Sequence, residues 1–471
     1  MASAPVRPQF SKLLFVSLFT VVGLGLPLFA TADPPFVNEP ADVSGVAAYV
    51  GAYTSIRIDA GGNPCISYYD ETNGNLKFAR KSGGVWTKEP ADNSANDVGW
   101  YTSLALDGSG NPHISYYDET NGDLWYARKS GGVWIKEPVY TPGDVGRTTS
   151  LVLDALGNPH ISYLDYTNMD LKYAWKSGGV WTRVTVASDG EVGEYSSLEL
   201  DSQGDPHISF YDQSNGDLLY AHRQNGTWDV VVADVTDDDT GLYTSLALDY
   251  LNRPHISFQD ATNGALKYAT KIGGSWDVVT IATGNTGWDS AIALDKAGHP
   301  RISYYDAYFG DLMYSRKVLG TWETYFVDSN PQNSGSYTSL AMDASGRPHM
   351  SYYNETSGDL IYAYGPAEVV DVAENQPSLV PAGFTIQPNP SHGGAVQIQL
   401  ANRTVGQDAV RVSILDVTGR KVRTLALDGT GAVTWDGRDD NGSPVRAGLH
   451  FVIPSGGGTR TSQATRLVVV R

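Results

Sequence analysis

Gly110-Asn-Pro-His-Ile-Ser-Tyr116 is the stretch that decides the fold, because close copies of it recur through most of this 471-residue chain. The spacing between consecutive copies is 46–48 residues. The equivalent prolines are Pro64, Pro112, Pro159, Pro206, Pro254, Pro300 and Pro348. Self-similarity at a fixed period of this length is typical of proteins built from repeated structural units. The sequence therefore predicts seven copies of one unit.

Working outward from this stretch, the surrounding residues predict four short strands. They are Tyr101–Asp107, His113–Tyr117, Leu124–Arg128 and Val133–Glu137, and the turns between them contain glycine. Closely spaced strands with such turns are typical of antiparallel β-structure, and no segment sustains the 3.6-residue apolar period of a helix. Four strands per repeat match one blade of a β-propeller. We therefore predict an all-β chain with a seven-bladed β-propeller over residues 33–365.

The two ends of the repeat region complement one another. The seventh copy lacks a fourth strand, since the chain runs from Leu360–Ala363 into Gly365-Pro366. Near the other end, Phe36-Val-Asn-Glu-Pro-Ala-Asp42 echoes Trp86-Thr-Lys-Glu-Pro-Ala-Asp92, which belongs to a fourth strand. We expect the N-terminal strand to complete the last blade, which closes the ring and removes an exposed sheet edge.

The first 32 residues have the pattern of a secretion signal. Arg7 and Lys12 precede an apolar run over Leu13–Ala30, and Ala30-Thr-Ala32 fits a signal-peptidase site. The alternative, a membrane anchor, is disfavoured because glycines and Pro27 interrupt the run. We expect residues 1–32 to be removed, leaving a secreted or outer-surface protein with no membrane span.

A different pattern follows the repeats. Residues 366–383 are expected to form a linker, and residues 384–471 a second domain that contains Pro388-Asn-Pro390, Trp435-Asp-Gly-Arg-Asp-Asp-Asn-Gly442 and a closing strand, Thr465–Val470. These segments resemble the FlgD-type immunoglobulin-like tails and C-terminal sorting domains of bacterial type IX secretion cargo. The resemblance implies a small β-sandwich, recognition by the outer-membrane secretion machinery, and surface attachment. A purely structural sandwich is the alternative.

Composition excludes several classes of partner and site. With 52 acidic and 33 basic residues, the formal charge is −19, which disfavours binding to nucleic-acid phosphates and to anionic lipid. The single cysteine, Cys65, excludes an intrachain disulfide and any cysteine-cluster metal site.

A histidine recurs in five of the seven copies. These are His113, His160, His207, His255 and His349. Blades radiate from an axis, so equivalent residues do not converge on one metal ion. We expect instead a hydrogen-bond network inside each blade, with the neighbouring strand serine and an aspartate such as Asp118, because buried polar groups need partners.

Acidic turns such as Asp118–Asp123 also recur, and closely spaced carboxylates suit Ca²⁺. However, Asp and Asn side chains stabilise turns by bonding to their own backbone, and the calcium-loop motif with its terminal glutamate is absent. No cofactor is therefore predicted, with Ca²⁺ left as an open alternative.

Positions that vary inside the repeated frame are the candidate ligand-binding residues. The residue after the glycine that opens each first strand is Trp100, Arg147, Glu194 or Trp288 in four copies. We expect these four to line a cup around the central opening, where aromatic platforms with a few charges suit sugar rings or peptide side chains. Arg57 and Glu199 replace small residues of the first strand, and Asp289 follows Trp288.

These residues favour a non-catalytic secreted or cell-surface protein that binds a glycan or a polypeptide. One alternative is an extracellular polysaccharide hydrolase or lyase, with Glu194 and Asp289 as paired carboxylates. A second alternative is a structural spacer or assembly module.

Overall fold

A computed structural model describes residues 36–43, 45, 48–318, 320–329 and 333–368, followed by the strands and some connections of residues 384–470. The chain divides near Glu368 into two compact units, a propeller and a C-terminal unit. The predicted signal, residues 1–32, and residues 369–383 of the predicted linker lie outside the described residues. Within the described part, no helix has the length and apolarity needed to cross a membrane.

Six blades of the propeller are continuous in sequence, and each is an antiparallel sheet of four consecutive strands. Blade 1 contains β2 (Val50–Ile58), β3 (Pro64–Asp70), β4 (Asn75–Ser82) and β5 (Val85–Asp92). Blade 2 contains β6 (Val98–Leu106), β7 (Pro112–Asp118), β8 (Asp123–Ser130) and β9 (Val133–Tyr140). Blade 3 contains β10 (Val145–Leu153), β11 (Pro159–Asp165), β12 (Asp170–Ser177) and β13 (Val180–Ala187).

The remaining blades repeat this order. Blade 4 contains β14 (Val192–Leu200), β15 (Pro206–Asp212), β16 (Asp217–Gln224) and β17 (Thr227–Val232). Blade 5 contains β18 (Thr240–Leu248), β19 (Pro254–Asp260), β20 (Ala265–Ile272) and β21 (Ser275–Thr283). Blade 6 contains β22 (Thr286–Leu294), β23 (Pro300–Asp306), β24 (Asp311–Val318) and β25 (Thr321–Asp328). Blade 7 contains β26 (Ser334–Met342), β27 (Pro348–Asn354), β28 (Asp359–Tyr364) and the N-terminal β1 (Val37–Asp42).

The N-terminal strand closes the ring, so the predicted seven blades and their closure are confirmed. Strand β1 pairs antiparallel with β28, with Val37 opposite Tyr364. Just before β1, Phe36 packs edge-on against Tyr314 of blade 6, with 5.3 Å between ring centroids. At its other end, the Asp42 carboxylate accepts a 2.7 Å hydrogen bond from Tyr68 of blade 1. The strand therefore ties its own blade to both neighbours.

A ring of hydroxyl groups joins all seven blades. A Thr or Ser at the middle of the first strand of each blade, which is its innermost strand, hydrogen-bonds with a buried serine on the second strand of the preceding blade, at 2.7–3.0 Å. Thr102 and Ser67 are one such pair, and Thr54 and Ser351 join blade 1 to blade 7. These bonds satisfy buried polar groups and fix each blade relative to the next.

The repeated histidines contact partners other than those predicted. In blade 2, Nδ1 of His113 hydrogen-bonds with the Tyr126 hydroxyl on the third strand, and its Nε2 lies 3.8 Å from Asp107. The expected serine instead joins the hydroxyl ring, and Asp118 bonds with Asn121 in its own turn. The same histidine–tyrosine pairing occurs in blades 3, 4, 5 and 7.

The two copies without histidine have compensating contacts. In blade 1, Cys65 faces Phe78 in place of a tyrosine, and Nε of Arg80 lies 3.1 Å from the Cys65 sulfur. In blade 6, Arg301 donates to the Glu368 carboxylate at 2.6 Å. Glu368 was included in the predicted linker, but it is buried against this blade. The propeller unit therefore extends to Glu368.

The C-terminal unit consists of two sheets around one core, as predicted for a small β-sandwich. One sheet contains β29 (Phe384–Gln387), β31 (Val396–Leu400) and β34 (Ala432–Trp435). The other contains β30 (Ser391–His392), β36 (Thr465–Val470), β35 (Gly448–Ser455), β32 (Arg411–Asp416) and β33 (Lys421–Ala426), in that order across the sheet. Both sheets contribute to the core, which includes Ile398, Ile414 and Trp435.

Deletion of residues 33–45 tests the closure. Loss of the β1 ladder and of the Asp42 contacts exposes β28, so we expect the melting temperature of the propeller to fall by about 10 °C or more. Differential scanning calorimetry measures this change. A synthetic peptide of residues 33–45 serves as the control and should restore part of the lost stability. An unchanged melting temperature would contradict closure by β1.

Candidate functional site

The innermost strand of every blade begins with a backbone bulge. All seven bulges lie at the same end of the propeller, which we call the upper face. On this face β6 begins and β7 ends, with Val98 opposite Asp118. Gly99 has a φ of +109°, and an added Cβ would lie 2.9 Å from the Leu76 Cα of the preceding blade, so only glycine fits. Two residues later Tyr101 is left-handed, with a φ of +52°, and the strand register shifts around it. The resulting bulge redirects the Tyr101 side chain.

The bulge recurs in all seven blades, and five of the left-handed residues are tyrosines. They are Tyr53, Tyr101, Tyr195, Tyr243 and Tyr337, with Thr148 and Asp289 at the other two positions. The ring centroid of Tyr53 lies 4.7 Å from those of Tyr101 and Tyr337, and Tyr195 lies 4.6 Å from Tyr243. These contacts join equivalent residues of adjacent blades in two arcs, Tyr337–Tyr53–Tyr101 and Tyr195–Tyr243, and we call the five tyrosines together the tyrosine ring. Burial raises the pKa of Tyr53, Tyr101 and Tyr195, so these three hydroxyls are neutral.

The sequence alone does not predict the tyrosine ring. Tyr101 begins a predicted strand, Tyr101–Asp107, and nothing in regular strand alternation indicates a left-handed bulge. The available signal was the Gly-x-Tyr spacing, with tyrosine in five of seven copies.

Two predicted tryptophans extend the tyrosine ring outward. Trp100 stacks on Tyr53 with 5.4 Å between centroids and an interplanar angle of 30°. Its indole N–H donates to Asp97 at 3.2 Å. In blade 6, Trp288 lies 5.4 Å from Tyr243. Both tryptophans are half-buried, so each offers part of its ring to solvent beside the tyrosine ring.

The predicted arginine and glutamate lie in the neighbouring blades 3 and 4. Arg147 donates to both carboxylate oxygens of Asp144, at 3.2 and 2.8 Å, and its guanidinium lies 3.9 Å from the Tyr166 ring centroid. Burial raises the pKa of Glu194, against the opposing effect of the Arg147 charge. Both side chains act electrostatically on Tyr101, so they face the same part of the upper face.

Asp289 occupies a position in the tyrosine ring rather than the outer rim. Its carboxylate accepts a 2.7 Å hydrogen bond from the backbone N–H of Tyr337. Asp289 and Glu194 each contribute to raising the pKa of Tyr195, after the larger effects of burial and Tyr243. The two carboxylates therefore lie near one tyrosine, in different backbone settings.

Arg57 and Glu199 lie further along the innermost strands, away from the tyrosine ring. They belong to blades 1 and 4 yet interact electrostatically, which directs both side chains toward the central channel. Nη1 of Arg57 donates to the Ile56 carbonyl at 2.8 Å. Burial raises the pKa of Glu199 to about 7, although the Arg57 charge favours ionisation. The structure therefore brings Arg57 and Glu199 close enough to influence one another electrostatically.

A second aromatic feature was missed on the upper face. In six blades, a Thr or Ser hydroxyl in the turn after the second strand accepts a backbone N–H from the preceding loop, as Thr120 does from Asp97 at 2.8 Å. In blade 6 this residue is Tyr308, which is 74% exposed, and the next is Phe309, which is 62% exposed. Their rings form an edge-on pair with 4.8 Å between centroids. Blade 6 has thus replaced a structural hydroxyl with an exposed aromatic pair.

The acidic turns form internal hydrogen bonds. The Asp118 carboxylate accepts the backbone N–H of Asn121 at 3.1 Å and its side-chain amide at 2.9 Å. Equivalent Asp–Asn pairs occur in the turns that begin at Asp70, Asp165, Asp212 and Asp260. This geometry accounts for the repeated acidic motif through turn stabilisation.

Comparison with known proteins gives a fold but no family. No protein-family model matches the chain, and no curated protein matches it significantly in sequence. An ulvan lyase of polysaccharide lyase family PL25 is 13% identical, with a TM-score of 0.50, over 68% of this chain and 94% of that one. PorZ, an essential bacterial surface component of the type-IX secretion system of Porphyromonas gingivalis, is 14% identical over 89% of this chain, with a TM-score of 0.46. This chain spans 59% of the PorZ chain, and at such identities the likeness concerns the fold alone.

The Glu199 carboxyl group makes a pH-dependent contribution to the stability of the propeller. The pKa of Glu199 is about 7 in the folded chain against 4.5 for an exposed glutamate, so the folded state retains a proton that the unfolded state loses. Stability contributed by this group is therefore full below pH 4.5 and declines as the pH rises to about 7. Relative to wild type, Glu199→Gln should gain up to about 3 kcal/mol of unfolding free energy across this range. Urea unfolding at a series of pH values measures the difference, and a constant difference would contradict the shifted pKa.

Proposed function

We propose that the chain is an exported, non-catalytic binding protein whose upper face holds a neutral glycan. The observation that carries this proposal is the aromatic surface formed by the tyrosine ring with Trp100 and Trp288. Flat aromatic faces pack against the apolar faces of sugar rings, while adjacent polar groups bond to sugar hydroxyls. Tyrosine hydroxyls and carboxylates supply hydrogen-bond donors and acceptors beside one surface.

The charges on this face favour a neutral ligand over a polyanion. Arg147 is a cation of the candidate set, but its charge is already matched by the bidentate contact with Asp144. Several carboxylates surround the aromatic surface. They include Asp97, Glu119, Glu194 and Glu355. An excess of uncompensated negative charge repels sulfated or uronic acid-rich chains.

Export and attachment form the second part of the proposal. The signal-like pattern of residues 1–32 supports export, and the FlgD-like motifs of residues 384–471 support recognition by an outer-membrane secretion machinery. The C-terminal unit has its own two-sheet core, as a separate sorting module requires.

Truncation after Glu368 tests the role of the tail, since it leaves the propeller contacts of Glu368 intact. In a bacterial host with type IX secretion, we expect the truncated chain to remain in the periplasm while the full chain reaches the surface. Cell fractionation with immunoblotting measures the distribution. Equal surface amounts of both chains would make the tail a structural accessory.

Glycan-array screening of the full chain, followed by calorimetry with the best oligosaccharide, tests the ligand. We expect Trp100→Ala combined with Trp288→Ala to weaken binding at least tenfold, about 1.4 kcal/mol, because two stacking surfaces are lost. Tyr250→Ala is the matched control, since Tyr250 is 71% exposed but lies in the β18–β19 turn at the opposite end of the blades. Wild-type affinity in the double variant, with its fold verified by circular dichroism, would contradict the proposal.

A polysaccharide hydrolase or lyase is the second candidate, favoured by the raised pKa of Glu194 beside Arg147. A panel of neutral and anionic polysaccharides separates the two functions. Turnover that disappears in Glu194→Gln would assign catalysis to this face. Binding without turnover supports the first proposal, and neither binding nor turnover would leave the propeller as a spacer.

A further inference from the structure

Three potential metal ligands converge in blade 4. Asp201 follows β14, and His207 and His222 are opposite one another on β15 and β16. The two imidazole rings stack with 4.1 Å between centroids, and Nε2 of His207 lies 3.8 Å from Oδ2 of Asp201. One ligand atom from each of the three residues lies within 4.8 Å of the other two. It is the one group of this kind in the described part of the chain.

His207 provides an independent indication of a ligand. This residue is only 3% exposed, and its Nε2 has no hydrogen-bond partner. Its Nδ1 already bonds with the Tyr220 hydroxyl, so the unpartnered nitrogen is the one nearest Asp201. A buried polar atom without a partner is destabilising, and a bound cation would satisfy it.

His222 is what distinguishes blade 4 from the others. The Asp–His pair itself is repeated, since Asp107–His113 and Asp154–His160 also have separations of 3.8 Å. At the position of His222 the other blades have Arg80, Arg128, Trp175, Thr270, Arg316 and Tyr364. Only in blade 4 does a second imidazole complete the set.

We propose that Asp201, His207 and His222 bind one divalent transition-metal ion of the zinc class. Two imidazole nitrogens and one carboxylate oxygen suit Zn²⁺, whereas Ca²⁺ and Mg²⁺ require oxygen ligands. Tetrahedral coordination at about 2.0–2.1 Å places ligand atoms about 3.4 Å apart, so the side chains need only a small inward movement. Water takes the fourth position.

The surroundings contain both supporting and opposing groups. The Tyr220 hydroxyl hydrogen-bonds with Nδ1 of His207 and so directs its Nε2 toward the other ligands. Lys271 lies 5.8 Å from the Tyr220 ring centroid, and its charge acts on His207. The Asp201 carboxylate offsets the charge of this cation.

Calorimetric titration of chelator-treated full chain with Zn²⁺ tests the proposal. We expect wild type to bind one more Zn²⁺ than His222→Arg, a variant that restores the residue present in blades 1, 2 and 6. Saturating Zn²⁺ should raise the melting temperature of wild type by about 3 °C more than that of the variant. Ca²⁺ titration serves as the control and should not distinguish the two chains.

A second variant tests the converse, that adding a histidine creates a metal site in another blade. Arg128→His places a second imidazole opposite His113, where Asp107 already has the separation seen in blade 4. We expect this chain to bind one more Zn²⁺ than wild type. The same Zn²⁺ stoichiometry and affinity in His222→Arg as in wild type would overturn the proposal.

Discussion

Each innermost strand begins beside the backbone of the preceding blade, at a distance that only glycine allows. A Cβ at any of the seven glycines, such as Gly99, would lie 2.7–2.9 Å from a leucine Cα of that blade. The hydroxyl ring then joins the same pairs of blades three residues further along. Because this close approach is repeated around the axis, it brings the second residue after each glycine to an equivalent place beside the axis in all seven strands. The tyrosine ring is therefore a consequence of how the blades pack.

The same constraint explains which changes the repeat tolerates. Cys65 and Arg301 depart from the repeated histidine, and each has a compensating partner, Arg80 in one case and Glu368 in the other. Tyr308 and His222 also depart from the repeat, but Tyr308 projects into solvent and His222 faces an unpartnered nitrogen of His207. Departures that restore internal contacts maintain the fold. Departures that leave an aromatic ring or a metal-ligating nitrogen available to a ligand indicate where the repeat has specialised.

Much of the architecture could be predicted from the sequence, because repeat spacing and turn residues are local signals. The blade number, the four strands per blade and the closure by β1 follow from such signals. The partners of His113 could not be predicted, since Tyr126 and Asp107 reach it through strand pairing that spacing alone does not specify. The tyrosine ring required knowledge of a left-handed bulge, which strand alternation does not encode. The contact of Glu368 with Arg301 joins residues 67 positions apart, and the sequence around neither residue indicates it.

A crystal structure of the chain with the tightest-binding neutral oligosaccharide tests the central claim most directly. The aromatic upper face predicts a sugar ring stacked over the tyrosine ring, in contact with Trp100 or Trp288, and hydroxyls bonded to the surrounding carboxylates. A sugar bound at the opposite end of the blades or on the C-terminal unit, with the tyrosine ring free, would contradict this account.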